Sequence, residues 1–276
     1  MHVALLWGAV IFYGFGIALV FPPALRGRAS LSRAALAIIG LGLLAHAAGI
    51  ARLAARTHHF PVTDLRSALS FFAFLITLAF FFAYLRYRIN WFGIFMLPLA
   101  FLLTVIAVLE PGRTLLSPAF RGRWLMVHVG CVLLGYTAFF LTAVAAVMYL
   151  IQENELKSKK PRAVYSRLPS LEVCDELYRR SLLWGFTLLT VGILSGFIGA
   201  SRMWRGPWEL DPKILAALIT WLVYLFLLSA RLSGHLRGRQ SAYGALVGFA
   251  VMMVTFVGIS FLSGFHGYFP NLGPPR

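Results

Sequence analysis

Eight apolar runs, each bounded by a short polar or basic stretch, divide the chain at residues 3–23, 34–51, 67–85, 90–109, 124–151, 181–199, 213–230 and 242–262. A hydrocarbon core of about 30 Å is crossed by about 20 apolar residues in helical form. Each run is long enough to cross. In lipid the backbone must satisfy its own hydrogen bonds, so runs of this kind are helical. The pattern predicts an all-α integral membrane protein of about eight transmembrane helices with short loops. It leaves no stretch for a separate soluble domain. We expect one polytopic membrane domain over 1–276, with a four-helix amino-terminal part (1–109) and a core over 124–266.

Composition agrees with the pattern. Of 276 residues, 60% are hydrophobic and only 12% charged, about half the charged share of a soluble domain. The net charge of +16 does not point to nucleic acid, because the basic residues fall between apolar runs and not on one face of a soluble fold. They suit a chain whose loops meet the anionic headgroups of a lipid bilayer. One set of alternate loops holds Arg26, Arg28, Arg33, Arg86, Arg88, Lys157, Lys159, Lys160, Arg162, Arg167, Arg179, Arg180, Arg231, Arg237 and Arg239. The other holds Arg52, Arg56, Arg66, Arg113, Arg121, Arg123, Arg202, Arg205, Lys213 and Arg276. The richer first set is expected on the cytoplasmic side, which puts both termini outside and makes 200–213 an outer, tryptophan-rich loop. Cys131 falls in a predicted span and Cys174 in a predicted cytoplasmic loop, so no disulfide is expected between them. The absence of C-x-x-C and C-x-x-C-H argues against a dithiol oxidoreductase or a c-type cytochrome. The first apolar run lacks a basic stretch before it and reads as a retained span.

Candidate chemistry gathers on the expected outer side. The connection Ala200–Lys213 contains Trp204, Trp208, Arg202, Arg205, Glu209, Asp211 and Lys213. Indoles offer flat faces to a planar ligand, and Arg donates to carboxylates. The competing reading is plain: Trp favours membrane interfaces anyway, and Asp211-Pro212 is a good helix start. His128 opens the fifth run and His266 follows the eighth. Both suit axial ligation of an iron, and both also suit a wetted interface. His46 lies inside the second run, where an ionisable residue is either functional or bonded to a neighbouring helix. His2, His58, His59 and His235 are given no role. No P-loop, G-x-S-x-G or H-E-x-x-H is present, and no carboxylate lies deep in a run, so no independent catalytic motif is seen.

These residues resemble a known family. Trp204-x-x-x-Trp208-x-x-Asp211-Pro212-Lys213, followed by Ala217–Leu222, is similar to the "WWD" signature of the CcsA/CcmC haem-handling superfamily of cytochrome c assembly. Leu125–Val129 with Gly135-Tyr136 and Leu150–Glu153 resembles that family's helix with the first outer histidine, and Gly264–Tyr268 its second. His46–Gly49, Phe60–Leu65 and Leu69–Phe72 resemble the amino-terminal half of CcsA-type members. The resemblance runs in order along nearly the whole chain. It implies a haem-binding membrane protein that presents haem b, bound or in transit, on the extracytoplasmic face of the bacterial cytoplasmic membrane for attachment to apocytochrome c. His128 and His266 would ligate iron, and 124–266 would be the haem-handling core. Trp204 and Trp208 would pack on the macrocycle, Arg202, Arg205 and Lys213 would meet the propionates, and Asp211 would fix the loop. His46 joins the cofactor-binding candidates. A separate ResB/CcsB-type membrane partner is implied, and the chain would be a subunit of a cytochrome c haem lyase or synthetase. Leu210 stands where the family usually has Trp, Ile214 where Glu is usual, Arg205 where Gly is usual, and Ser229 at a histidine of CcsA-type synthetases. These departures resemble the HemX/YpjD branch. They keep open a non-enzymatic regulator linked to haem synthesis, holding a cytoplasmic partner with the basic 152–180 loop. A small-molecule permease is the third reading.

Overall fold

The computed structural model describes residues 2–25, 32–57, 62, 64–87, 91–110, 123–158, 168–203 and 211–258. Its regular structure is helical, with no strand among the described residues. The helices are α1 (His2–Leu25), α2 (Arg33–Thr57), α3 (Leu65–Tyr87), α4 (Phe92–Leu109), α5 (Arg123–Lys157), α6 (Leu171–Met203), α7 (Pro212–Leu232) and α8 (Gly238–Met253), with α8 ending in a π-helical turn (Val254–Gly258). Eight described helices are long and apolar enough to cross a bilayer. This is a multi-pass membrane protein, as the runs predict.

The largest difference from the expected spans is at α5 and α6. The stretch 152–180, read from sequence as a cytoplasmic loop, is helical as far as Lys157 and again from Leu171. Charge ends an apolar run but not a helix, because the backbone bonds are internal to it. The polar turns carry their own ion pairs, Lys157 with Glu153 and Arg179 and Arg180 with Glu176, at the i,i+3 and i,i+4 spacings that suit a helix surface. Cys174 is therefore a buried residue of α6, not a loop residue, and both cysteines are free thiols.

The chain divides into two compact units, Met1–Arg113 with Ile151–Glu172, and Thr114–Leu150 with Val173–Arg276. In the first, α1 packs on α2 and α4, and α3 packs on α4 and α2. Small residues allow the closest approach: a Cβ on Gly16 would lie 2.5 Å from Ile39, and one on Gly42 2.8 Å from the Tyr13 ring. In lipid such packing, not water exclusion, draws helices together. Asp64 starts α3, accepting from the Ser67 amide at 2.8 Å while its own amide donates to Ser67 Oγ at 3.2 Å. Arg66 then donates to the Glu110 carbonyl, joining the start of α3 to the end of α4.

In the second unit α5 meets each of the other three helices. Phe139 stacks on Tyr224 of α7, centroids 3.4 Å apart. Tyr136 and Phe140 meet Phe256 and Phe249 of the α8 segment. Thr142 Oγ1 and Ser181 Oγ, 2.8 Å apart, join α5 to α6.

Candidate functional site

The start of α5 lies against the last turns of α6 because α6 is lined with glycine there. A Cβ on Gly192 would meet Val132 at 2.7 Å, one on Gly196 the His128 ring at 2.6 Å, and one on Gly199 would run into the Trp124 ring. Their spacing of four and three residues keeps them on one face of the helix. Without side chains on that face, a histidine and a tryptophan one turn apart on α5 lie flat against a backbone.

His128 is half-buried in this groove, and its Nδ1 is 2.7 Å from the Gly192 carbonyl oxygen. A carbonyl only accepts, so Nδ1 carries the proton and donates. The neutral ring then has its lone pair on Nε2. Trp124 lies beside it, ring centroids 6.4 Å apart and planes 36° from parallel. The Trp124 indole N–H is buried without a protein acceptor.

The start of α7 belongs to the same end of the unit. Buried Asp211 caps it, accepting from the Lys213 amide at 2.8 Å and the Ile214 amide at 3.4 Å, with Pro212 at the first helical position. Of the four amide positions that a helix start leaves without helical acceptors, Pro212 has no N–H and the Asp211 side chain takes two. Half-buried Lys213 follows the cap, and exposed Arg202 ends α6, where a cation complements the helix dipole. Trp221 Nε1 donates to Thr190 Oγ1 at 2.9 Å, tying α7 to α6. The end of α8 comes to this region too: Thr255 in the π-helical turn is 2.7 Å from Thr220, oxygen to oxygen. The start of α5, the end of α6, the start of α7 and the end of α8 thus share one end of the second unit. Trp204, Arg205, Trp208 and His266 lie outside the described residues, as does Leu210. Ser229, near the other end of α7, is exposed and bonded to the Phe226 carbonyl of its own helix.

His46 belongs to the first unit and is fully buried. Its Nδ1 lies 3.3 Å from the Tyr13 hydroxyl of α1, and its Nε2 2.9 Å from Ser70 Oγ of α3. Phe74 meets the ring edge-on. Both nitrogens therefore join neighbouring helices, the interhelical alternative weighed for this residue. Sequence reading missed Trp124 and the three glycines. Trp124 stands one helical turn before His128, and Gly192, Gly196 and Gly199 share a helix face, so the spacing was there to be read. Their apposition across two helices was not.

A polytopic helical membrane protein with a carbonyl-oriented histidine and a capped helix start at one end of a four-helix unit is the class defined so far. The profile of the cytochrome c assembly proteins matches residues 36–266, from the start of α2 past the end of α8. The chain belongs to that family. The cytochrome c biogenesis protein CcsA of Guillardia theta is 31% identical over 76% of this chain and 77% of its own length. That of Thermosynechococcus vestitus is 30% identical over 96% and 94%, and that of Prochlorococcus marinus 32% identical over 76% of each.

Proposed function

We propose that this chain handles haem during cytochrome c assembly, holding it at the extracytoplasmic end of the second unit for transfer to apocytochrome c. The observation that carries the reading is the 2.7 Å bond from His128 Nδ1 to the Gly192 carbonyl. Histidines that bind metal almost always donate their other ring N–H to such an acceptor, which fixes the tautomer and ring direction and raises the basicity of the ligating nitrogen. Haem supplies an iron centre and two propionates when bound. His128, with His266 as its counterpart, would ligate the iron. Trp204 and Trp208 would pack on the ring, and the buried indole N–H of Trp124 would donate toward a polar group of the ligand. Arg202, Arg205 and Lys213 would pair with propionates, and Asp211 would hold the start of α7 in place. The CcsA name of the relatives supports the process. The bias of Lys and Arg supports outer termini and the cytoplasmic membrane. A ResB/CcsB-type partner would complete the lyase.

The test is optical. Protein purified in detergent from haem-replete cells is expected to show a Soret band that His128→Ala or His266→Ala reduces severalfold. A wild-type preparation without haem absorbance overturns the reading.

A further inference from the structure

The second unit has a polar feature at its other end. His128 and Gly196 mark one end of α5 and α6; Asp175 of α6 and Arg231 of α7 lie about 30 Å further along the helices, at about 1.5 Å per residue. There a cavity of about 460 Å³ is lined by Asp175, Arg179, Arg231, Arg237, Leu232 and the glycines of the α7–α8 turn.

The cavity is built, not an accident of loose loops. Arg231 is 11% exposed, paired with Asp175 and set over the Tyr178 ring. The turn is closed by the Gly234 amide donating to the Arg231 carbonyl at 3.2 Å and the Leu236 amide to the Ala230 carbonyl at 3.0 Å. Gly234 has φ of 78° and Gly238 of 56°, a region costly for residues with a Cβ. A Cβ on Gly234 would lie 2.6 Å from the Arg237 guanidinium, so glycine lets that cation fold back onto the turn.

Its charge is unbalanced. Arg179 and Arg180 share the single carboxylate of Glu176, and Asp175 is taken by Arg231. Arg237 adds a further cation in the lining. Gly238 begins α8, and Arg237 at its N-cap provides no side-chain cap. The positive end of a helix dipole, with amides lacking helical acceptors, therefore opens at the same place. The guanidinium groups of Arg179, Arg180, Arg231 and Arg237 outnumber the carboxylates of Asp175 and Glu176, and with the helix start beside them they make a receptor for an oxyanion.

We propose that this cavity binds a phosphate group, that of an anionic phospholipid headgroup. Its place at the end of an apolar span favours lipid over a soluble anion. The lining includes Leu232, the last residue of an apolar span and 66% exposed, so apolar surface for acyl chains adjoins the arginines. The site is independent of haem.

The experiment measures retention of phosphatidylglycerol by the full chain in detergent, by native mass spectrometry. The variants are Arg179→Gln/Arg237→Gln, the charge-keeping Arg179→Lys/Arg237→Lys, and Arg33→Gln as a basic control on another helix. Arg231 is kept because it is part of the packing. Each guanidinium near a lipid surface contributes about fivefold, so the glutamine pair is expected to weaken binding more than tenfold. The lysine pair should weaken it less, and Arg33→Gln should leave it unchanged. Inorganic phosphate is titrated in parallel. Displacement of the lipid by millimolar phosphate would support the same site with a soluble anion as its source, and binding of lipid alone would support the headgroup. Equal retention of lipid and phosphate by wild type and the glutamine pair, with both eluting as folded protein, overturns the proposal.

Discussion

At the scale of the residue, His46 and His128, the candidate histidines among the described residues, differ in what surrounds them. His46 has a hydroxyl on each ring nitrogen, which suits it to joining α1, α2 and α3. His128 has one nitrogen held by a backbone carbonyl, which directs the other. That geometry depends on Gly196, whose Cβ would fall 2.6 Å from the imidazole. Gly196→Ala is therefore expected to push the ring aside, at about 1–3 kcal/mol of overpacking, and to lower haem absorbance without removing any proposed ligand. Gly196→Ala with an unchanged spectrum would show that the groove does not orient His128. The histidine itself was legible in the sequence. The carbonyl that orients it was not, because it lies 64 residues further on and has no side-chain signature.

At the scale of the element, Asp211-Pro212 was readable as a helix start, and the bonds from Lys213 and Ile214 amides bear that out. Asp211→Ala is expected to cost about 1 kcal/mol, seen as a lower midpoint of heat-induced aggregation of the detergent-solubilised protein. Asp211→Asn should recover most of the loss, since its amide oxygen accepts the same bonds. If Ala and Asn variants fall equally, the carboxylate acts through something other than capping. The ends of α5 and α6 were less legible. A hydropathy pattern stops at the first cluster of charge, while the helices continue through Lys157 and begin again at Leu171. The π-helical turn at Val254–Gly258 was not foreseen either. Turns of this kind are inserted into helices without a strong local signature and often near functional sites; here it carries Thr255 to Thr220.

At the scale of the whole molecule, the eight spans and the distribution of Lys and Arg make a prediction about sidedness. An alkaline phosphatase fusion after Arg276 is expected to be active, and one in the α7–α8 turn inactive; the reverse pair of results would invert the assignment and remove the outer site with it. With the termini outside, the arginine cavity would face the cytoplasmic leaflet.

The sequence alone determined the membrane class, the number of spans and the start of α7, because these follow from local physics: the length of apolar runs, the self-sufficiency of helical hydrogen bonds and the chemistry of a cap. It also supplied the residues of the resemblance, which the family match over 36–266 carries through. Only the tertiary structure decided which helix faces meet. The glycines of α6 become a groove because Trp124 and His128 lie in it, and Arg231 of α7 reaches Asp175 of α6, 56 residues away, with Arg237 beside them, because α6, α7 and the α8 start converge. Contacts of that kind depend on the rotation of one helix against another, which is set by packing across the bundle and leaves no mark within a single span.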